Sequence, residues 1–360
     1  MAPLVSALKA CADFEIRVCV TAQHREMLDQ VLALFKIVPD YDLDLMTAGQ
    51  TLATISARVL QGITDVLAQW TPDLVLVHGD TSTTAMTSMA CFYQRVAIGH
   101  VEAGLRTGNL WSPWPEEFNR RLASMVARLH FAPTEQARLN LVAESIPGEW
   151  IEVTGNTVID ALLHVSARID RDQDLKTYFQ GKFSFLDGSK RLLLVTGHRR
   201  ENFGGGMQSI CSGLLALSRR DDLQIVYPVH RNPNVAGPVD EYLAGQPNIY
   251  LLAPQDYLSF VYLMKRCAVL LTDSGGIQEE APALGKPVLV MRNTTERPEA
   301  VEAGTVRLVG TEAANIEYEV ANLLDDPKFY LRMTASRNPY GDGSSAQQIC
   351  SAIARYFEKI

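Results

Sequence analysis

The sequence has no apolar run of the roughly 18 residues that a membrane-spanning helix needs, and no secretory signal pattern. The cytoplasm is therefore the expected location. No two of its six cysteines (Cys11, Cys19, Cys91, Cys211, Cys267, Cys350) stand in a C-x-x-C spacing, and most lie in apolar stretches. They read as buried free thiols rather than a disulfide framework or a metal site. The seven histidines do not pair with acids at helical spacing and no EF-hand loop is present, so no metal is expected. No G-x-G-x-x-G follows a strand and no P-loop lysine appears, which argues against NAD and against P-loop nucleotide chemistry. Positive charge is in deficit: 33 Lys and Arg against 41 Asp and Glu leave a net −8. That balance supports neither nucleic-acid nor membrane-surface binding. A diphosphate, if bound, must be held locally by loop amides and a few placed cations.

What is present fits two α/β domains. A chain of 360 residues is too long for one ordinary core, and its 47% apolar and 21% charged residues suit a globular protein. Short apolar runs read as strands at Glu15–Thr21, Leu74–His78, Val96–Val101, Leu129–Ala132, Ile151–Thr154, Leu192–Thr196, Gln224–Val229, Ile249–Leu252, Val269–Thr272, Val288–Met291 and Val306–Val309. Helix-length segments lie between many of them, among them Thr51–Trp70, Glu116–Ala127, Val158–Arg168 and Met207–Ser218. Continuous rather than alternating apolar strands mark parallel sheets buried on both faces. Such alternating units predict doubly wound domains, with functional loops at the carboxyl ends of the strands. The boundary is expected after Asn156, with domains over 1–156 and 157–344, and Asp170–Lys190 as a surface excursion. The start reads as a helix where this architecture normally opens with a strand.

Several strand ends carry chemistry. Leu74–His78 runs into Gly79-Asp80-Thr81, Val96–Val101 into Glu102-Ala103-Gly104, and Pro115 opens a helix at Glu116. Asp80 alone reads equally well as a helix cap, and Glu116 as a complement to a helix dipole. Three carboxylates on successive loops with little nearby Lys resemble an acid/base site. In the second half, Gly197-His198-Arg199-Arg200 precedes three glycines, which suits an anion unless it is a plain glycine turn. A sharper signal is Asp273-Ser274-Gly275-Gly276, a small-residue turn between a strand and a helix. Helix amides there favour phosphate, and Glu280, four residues beyond Gly276 on the same face, can accept both hydroxyls of a ribose. A tight turn capped by Ser274 is the alternative. His130 and His164, inside apolar patterns, read as residues without a catalytic role.

With these motifs the sequence closely resembles the non-hydrolysing UDP-N-acetylglucosamine 2-epimerases. The matching segments include Thr21-Ala-Gln-His-Arg-Glu, Val77-His-Gly-Asp-Thr, Gly99-His-Val-Glu-Ala-Gly-Leu-Arg, Pro113-Trp-Pro-Glu-Glu, Thr196-Gly-His-Arg-Arg-Glu, Thr272-Asp-Ser-Gly-Gly-Ile-Gln-Glu-Glu and Thr295-Glu-Arg-Pro-Glu-Ala, in family order over nearly the whole chain. The resemblance implies two Rossmann-like domains facing a cleft, as in GT-B glycosyltransferases, whose closure excludes water. A C-terminal helix at about 345–360 returns to the first domain. It implies elimination of UDP to a 2-acetamidoglucal, then re-addition from the other configuration at C2. Asp80, Glu102 and Glu116 would share the acid/base work and His198 would stabilise the leaving group. Ser274, Gly275 and Gly276 would hold the diphosphate, Glu280 the ribose, Gln255 and Phe260 the uracil, with Arg297 near the sugar diphosphate.

No cofactor is implied. The partners are the UDP-sugar itself, a second copy of it as activator beside Gln23, Arg25, Glu116 and His230, and a second protein copy in a homodimer. Family members begin with a further strand and a Gly-Thr-Arg-Pro-Glu loop that this sequence does not show. A form starting at Met1 is expected to be poorly stable and severely impaired. The rival readings are a GT-B-type glycosyltransferase and a truncated, inactive UDP-sugar-binding form.

Overall fold

A computed structural model of the chain describes residues 1–22, 25–47 and 49–358, with no side-chain detail for residues 26 and 27. Gln23, assigned above to an activator site, lies outside the described residues. The chain divides into two compact units, Met1–Ala161 with Tyr340–Ile360, and Leu162–Pro339. Both are α/β, and every strand pair is parallel, as expected.

The first unit contains β1 (Cys19–Val20), β2 (Tyr41–Asp42), β3 (Leu74–His78), β4 (Ala97–Val101), β5 (Leu129–Ala132) and β6 (Ile151–Val153). They form two separate sheets, β1-β2 and β3-β4-β5-β6. The strand expected over Glu15–Thr21 is cut to two residues, and the short β2 that pairs with it was not foreseen. A ladder needs partners, and among the described residues β1 has a neighbour on one side only. Beside it, residues 13–16, β3 and the helix Ser345–Phe357 line a groove of about 600 Å³. The first element is the helix Ala2–Lys9, which packs with Ser345–Phe357 over β4 and β5 through Leu4, Leu8, Phe131, Ile349 and Ile353.

The second unit contains β7 (Arg191–Thr196), β8 (Leu223–Pro228), β9 (Ile249–Leu252), β10 (Val269–Thr272), β11 (Val288–Val290) and β12 (Val306–Leu308). They make one sheet in the order β12-β11-β10-β7-β8-β9. Counted from β7, that is the doubly wound order 3-2-1-4-5-6, so the winding reverses between β7 and β10. A crevice must open there, flanked by the loops that leave those two strands. Leu193, Val195, Ile225, Tyr227, Leu271 and Leu289 are fully buried in one continuous core. Each such aliphatic side chain contributes about 1.5–3 kcal/mol. The stretch 170–190 is more than a surface excursion. It contains the helix Gln173–Lys182, capped by Asp172, and buries Phe179 in a stack on Tyr262 at 4.6 Å.

All six cysteines are free, and burial pushes Cys91, Cys211 and Cys267 up to about 12, so those thiols are inert at neutral pH. Among the described residues no His, Cys, Asp and Glu cluster could hold a metal, and no helix is long and apolar enough to cross a membrane.

Candidate active site

In the first unit, β3 and β4 run side by side with His78 opposite Val101, so their next residues emerge at one edge. Gly79 takes a left-handed φ of +66° and Glu102 one of +63°. A glutamate in that region is uncommon and marks a backbone held for a purpose. The buried ring of His100 bonds the Gly79 carbonyl at 2.8 Å and fixes the turn; burial pushes its pKa down to about 3, so it stays neutral. Asp80 is not the helix cap. Thr81 is, accepting from the Thr84 amide at 3.2 Å, which leaves the Asp80 carboxylate for other work.

That carboxylate is not unneutralised. Arg120 forms a close ion pair with it, and Asn119 donates to the Asp80 carbonyl at 2.9 Å. The scarcity of Lys did not reveal this arginine, although it lies within the stretch that follows Glu116. The wholly buried Glu117 anchors the same helix, accepting from the amides of Thr107 at 3.1 Å and Gly108 at 3.3 Å and from Arg121 at 3.1 Å. Glu102 accepts from the buried Asn156 amide at 2.9 Å and lies 3.8 Å from His78 Nε2. Glu116 opens the helix Glu116–Val126, is half-buried, and has no ion-pair or hydrogen-bond partner among the described residues. Arg25 is engaged by Asp29 at 3.0 Å and Asp42 at 2.6 Å.

In the second unit the loops after β7 and β10 meet at the switch point. Thr196 and Thr272, opposite each other, join their hydroxyls at 2.6 Å. Gly197 is closely packed, since a Cβ would stand 3.0 Å from the Tyr227 hydroxyl, which would have to shift. After β10, Ser274 takes the cap position of the helix Gly275–Ala283 but makes no side-chain cap bond, so the alternative of a turn capped by Ser274 fails. A Cβ on Gly276 would meet nothing within 4 Å. A Cβ on Gly275 would instead stand 2.8 Å from Glu296 Oε1 and 3.5 Å from Arg199, so this helix N-terminus, which suits an anion, has a carboxylate and a guanidinium beside it.

Glu280 lies one turn inward and is buried. That burial, and then the charge of Glu279, push its carboxyl up to about 8. Arg297 binds Glu279 at 2.6 Å and approaches Glu296 at 3.9 Å. Arg199 is likewise compensated by Glu296 at 3.2 Å, so the loop's arginine pair is not simply free positive charge. Burial alone would raise Glu296, but its hydrogen bonds and the charges of Arg292 and Arg297 hold it at about 2.

His198 exposes 44% of its side chain and stacks on His230 with ring centroids 5.6 Å apart. Burial lowers its pKa, opposed by the Asp273 charge and aided by His230 and Arg199. Gln255 donates to the Ala253 carbonyl at 2.7 Å and leaves its buried Oε1 unpartnered. The half-buried Phe260 sits on the helix Tyr257–Arg266, which Asp256 caps at 2.8 Å.

Comparison with known proteins places these loops in context. The model of the UDP-N-acetylglucosamine 2-epimerase family matches residues 6–354. The UDP-N-acetylglucosamine 2-epimerase of Yersinia pestis is 58% identical over 357 residues, covering 99% of this chain and 95% of the relative. That of Escherichia coli K12 is 56% identical over 354 residues, covering 98% and 94%. The crystal structure of the Neisseria meningitidis enzyme bound to UDP-GlcNAc superposes with a TM-score of 0.92 at 49% identity, over 99% of this chain and 96% of that one. Chain-wide agreement in sequence and fold leaves one assignment: the chain belongs to the UDP-N-acetylglucosamine 2-epimerase family.

Proposed function

We propose that this chain interconverts UDP-N-acetylglucosamine and UDP-N-acetylmannosamine by inverting C2, without hydrolysis. The observation that carries this reading is the end of β10, where a helix N-terminus with open space at the Gly276 Cβ position is followed one turn inward by the buried acid Glu280. That order suits a diphosphate followed by a ribose. Ser274, Gly275 and Gly276 take the diphosphate, Glu280 accepts the ribose hydroxyls, and Gln255 and Phe260 hold the uracil. Arg297, through its pairing with Glu279, sets the charge balance beside the diphosphate.

The hydrogen on C2 is not adjacent to a carbonyl and resists simple deprotonation. Elimination avoids the difficulty. A carboxylate takes the C2 proton, the C–H electron pair becomes the C1=C2 bond, and the C1–O bond breaks with its pair leaving on UDP. The resulting 2-acetamidoglucal then accepts UDP again while a proton is delivered to the opposite face of C2. Asp80, Glu102 and Glu116 serve this proton traffic as a set, and His198 with the helix amides stabilises the departing diphosphate. Arg120 pairs with Asp80 and orients its carboxylate.

The protein acts in the cytoplasm as a homodimer. Exposed Phe92, Tyr93 and Met125 on two packed helices of the first unit offer apolar surface for a second copy. A second substrate molecule acts as activator through Arg25, Glu116 and His230. Incubating the chain with UDP-N-acetylglucosamine alone and separating the products tests the function. UDP-N-acetylmannosamine is the expected product. Free N-acetylmannosamine with UDP, or no conversion without an acceptor, contradicts it.

A further inference from the structure

Asp273 is the one fully buried acid at the switch point, and nothing in the proposed chemistry uses it. It follows β10 directly and its two oxygens differ sharply. Oδ2 accepts from the His198 amide at 2.9 Å, the Arg199 amide at 2.8 Å and Asn202 Nδ2 at 3.1 Å. Oδ1 is buried with no hydrogen-bond partner among the described residues, and His198 Nδ1 stands 3.6 Å from it. A saturated oxygen holds the loop. An unsatisfied one is an acceptor waiting for a donor, and a small ring rotation brings Nδ1 within hydrogen-bond range.

We infer that Asp273 is a positioning residue that acts through His198: Oδ1 accepts the Nδ1 proton of the imidazolium, which orients the ring and turns its Nε2–H toward the leaving diphosphate. The carboxylate also supplies the counter-charge for an imidazolium that donates to the diphosphate as the C1–O bond breaks. One face of the ring is covered by His230, whose own Nδ1 accepts from the Asn232 amide at 3.1 Å. Among the described residues, Asp273, His230 and Arg199 are the charged or titratable groups whose charges act on His198. The inference rests on the leaving-group role proposed for His198.

Asp273→Asn in the full chain tests it. Asparagine keeps one oxygen for the three loop donors but presents an amino group to Nδ1, which cannot accept its proton and removes the counter-charge that favours the imidazolium. The expected result is a loss in kcat of about 100-fold or more, with KM and UDP affinity within about threefold. The limb of the kcat–pH profile that belongs to His198 should move downward by about one unit. His198→Gln should be similarly slow, and the double variant no slower than His198→Gln alone. Multiplying losses, a parallel fall in UDP affinity or an unmoved pH limb would assign Asp273 a purely structural role and overturn the inference. An undiminished His198→Gln enzyme instead removes the leaving-group role itself. A slow His198→Gln with a normal Asp273→Asn removes only the Asp273 inference. If Asp273→Asn does not fold, the ring ¹⁵N shifts of His198 in the native chain with UDP decide. A protonated Nδ1 is expected, and an unprotonated one overturns the inference.

Discussion

The two units use the same parallel α/β construction to different degrees of completion. The second has one continuous six-stranded sheet with β7 between β10 and β8, and alternate residues of these strands share one buried cluster. The first has its strands split two and four, its buried residues divided into separate clusters, and a groove beside the edge of β3. Nucleotide binding asks for several groups held in fixed register, and a continuous sheet provides that. The carboxylates of the first unit depend more on local devices. These are the His100 bond to Gly79, the Arg120 pair with Asp80 and the Asn156 bond to Glu102. In the proposed function, binding would rest on the sheet, and proton chemistry on side-chain clamps.

Substitutions should separate the two functions. The largest effect is expected for Glu102→Gln and Asp80→Asn, which should slow turnover by 10²–10⁴-fold while leaving UDP affinity nearly unchanged. Loss of UDP binding in either variant would break the division. Gly276→Val should do the reverse. With nothing within 4 Å of its Cβ, it should leave melting close to native but weaken UDP by about tenfold or more, by titration calorimetry. Native affinity would move the diphosphate away from this helix.

Glu280 supplies a pH test of the second unit. Its folded pKa of about 8 lies above the ordinary 4.5, so its contribution to stability is complete below 4.5 and is lost as pH rises through 8. Ribose hydroxyls donate to the ionised form, so UDP affinity should climb by as much as about fivefold between pH 7 and pH 8 while the unliganded protein becomes less stable. Glu280→Gln should flatten both trends, and an unchanged slope would exclude Glu280. The smallest effects concern the first unit alone. Amides of β1 and β3 should exchange with solvent faster than those of β7 and β10, since partial opening there costs less. Thr81→Ala should cost about 1 kcal/mol in denaturant melts without altering UDP affinity.

Much of this was legible in the sequence because the strands are continuous apolar runs. Leu74–His78, Leu129–Ala132, Ile249–Leu252 and Val269–Thr272 match to the residue. Glu15–Thr21 looked equally good, but strand length is set by neighbours, which a local pattern does not contain. The helix Gln173–Lys182 escaped notice because most of its residues are polar and only Phe179 is fully buried. Loop positions of the candidate site residues follow from where strands end. Their partners do not: Arg120 lies 40 residues from Asp80, Asn156 54 from Glu102, and Asp273 75 from His198. Only folding brings such residues together.

The most direct test of C2 inversion is proton NMR of UDP-N-acetylglucosamine incubated with the chain in deuterated water. Loss of the C2 proton signal, with deuterium appearing in both epimers and no free sugar released, is the predicted result. Epimer formed with its C2 proton retained, or no exchange in a sample shown to bind UDP, would contradict it.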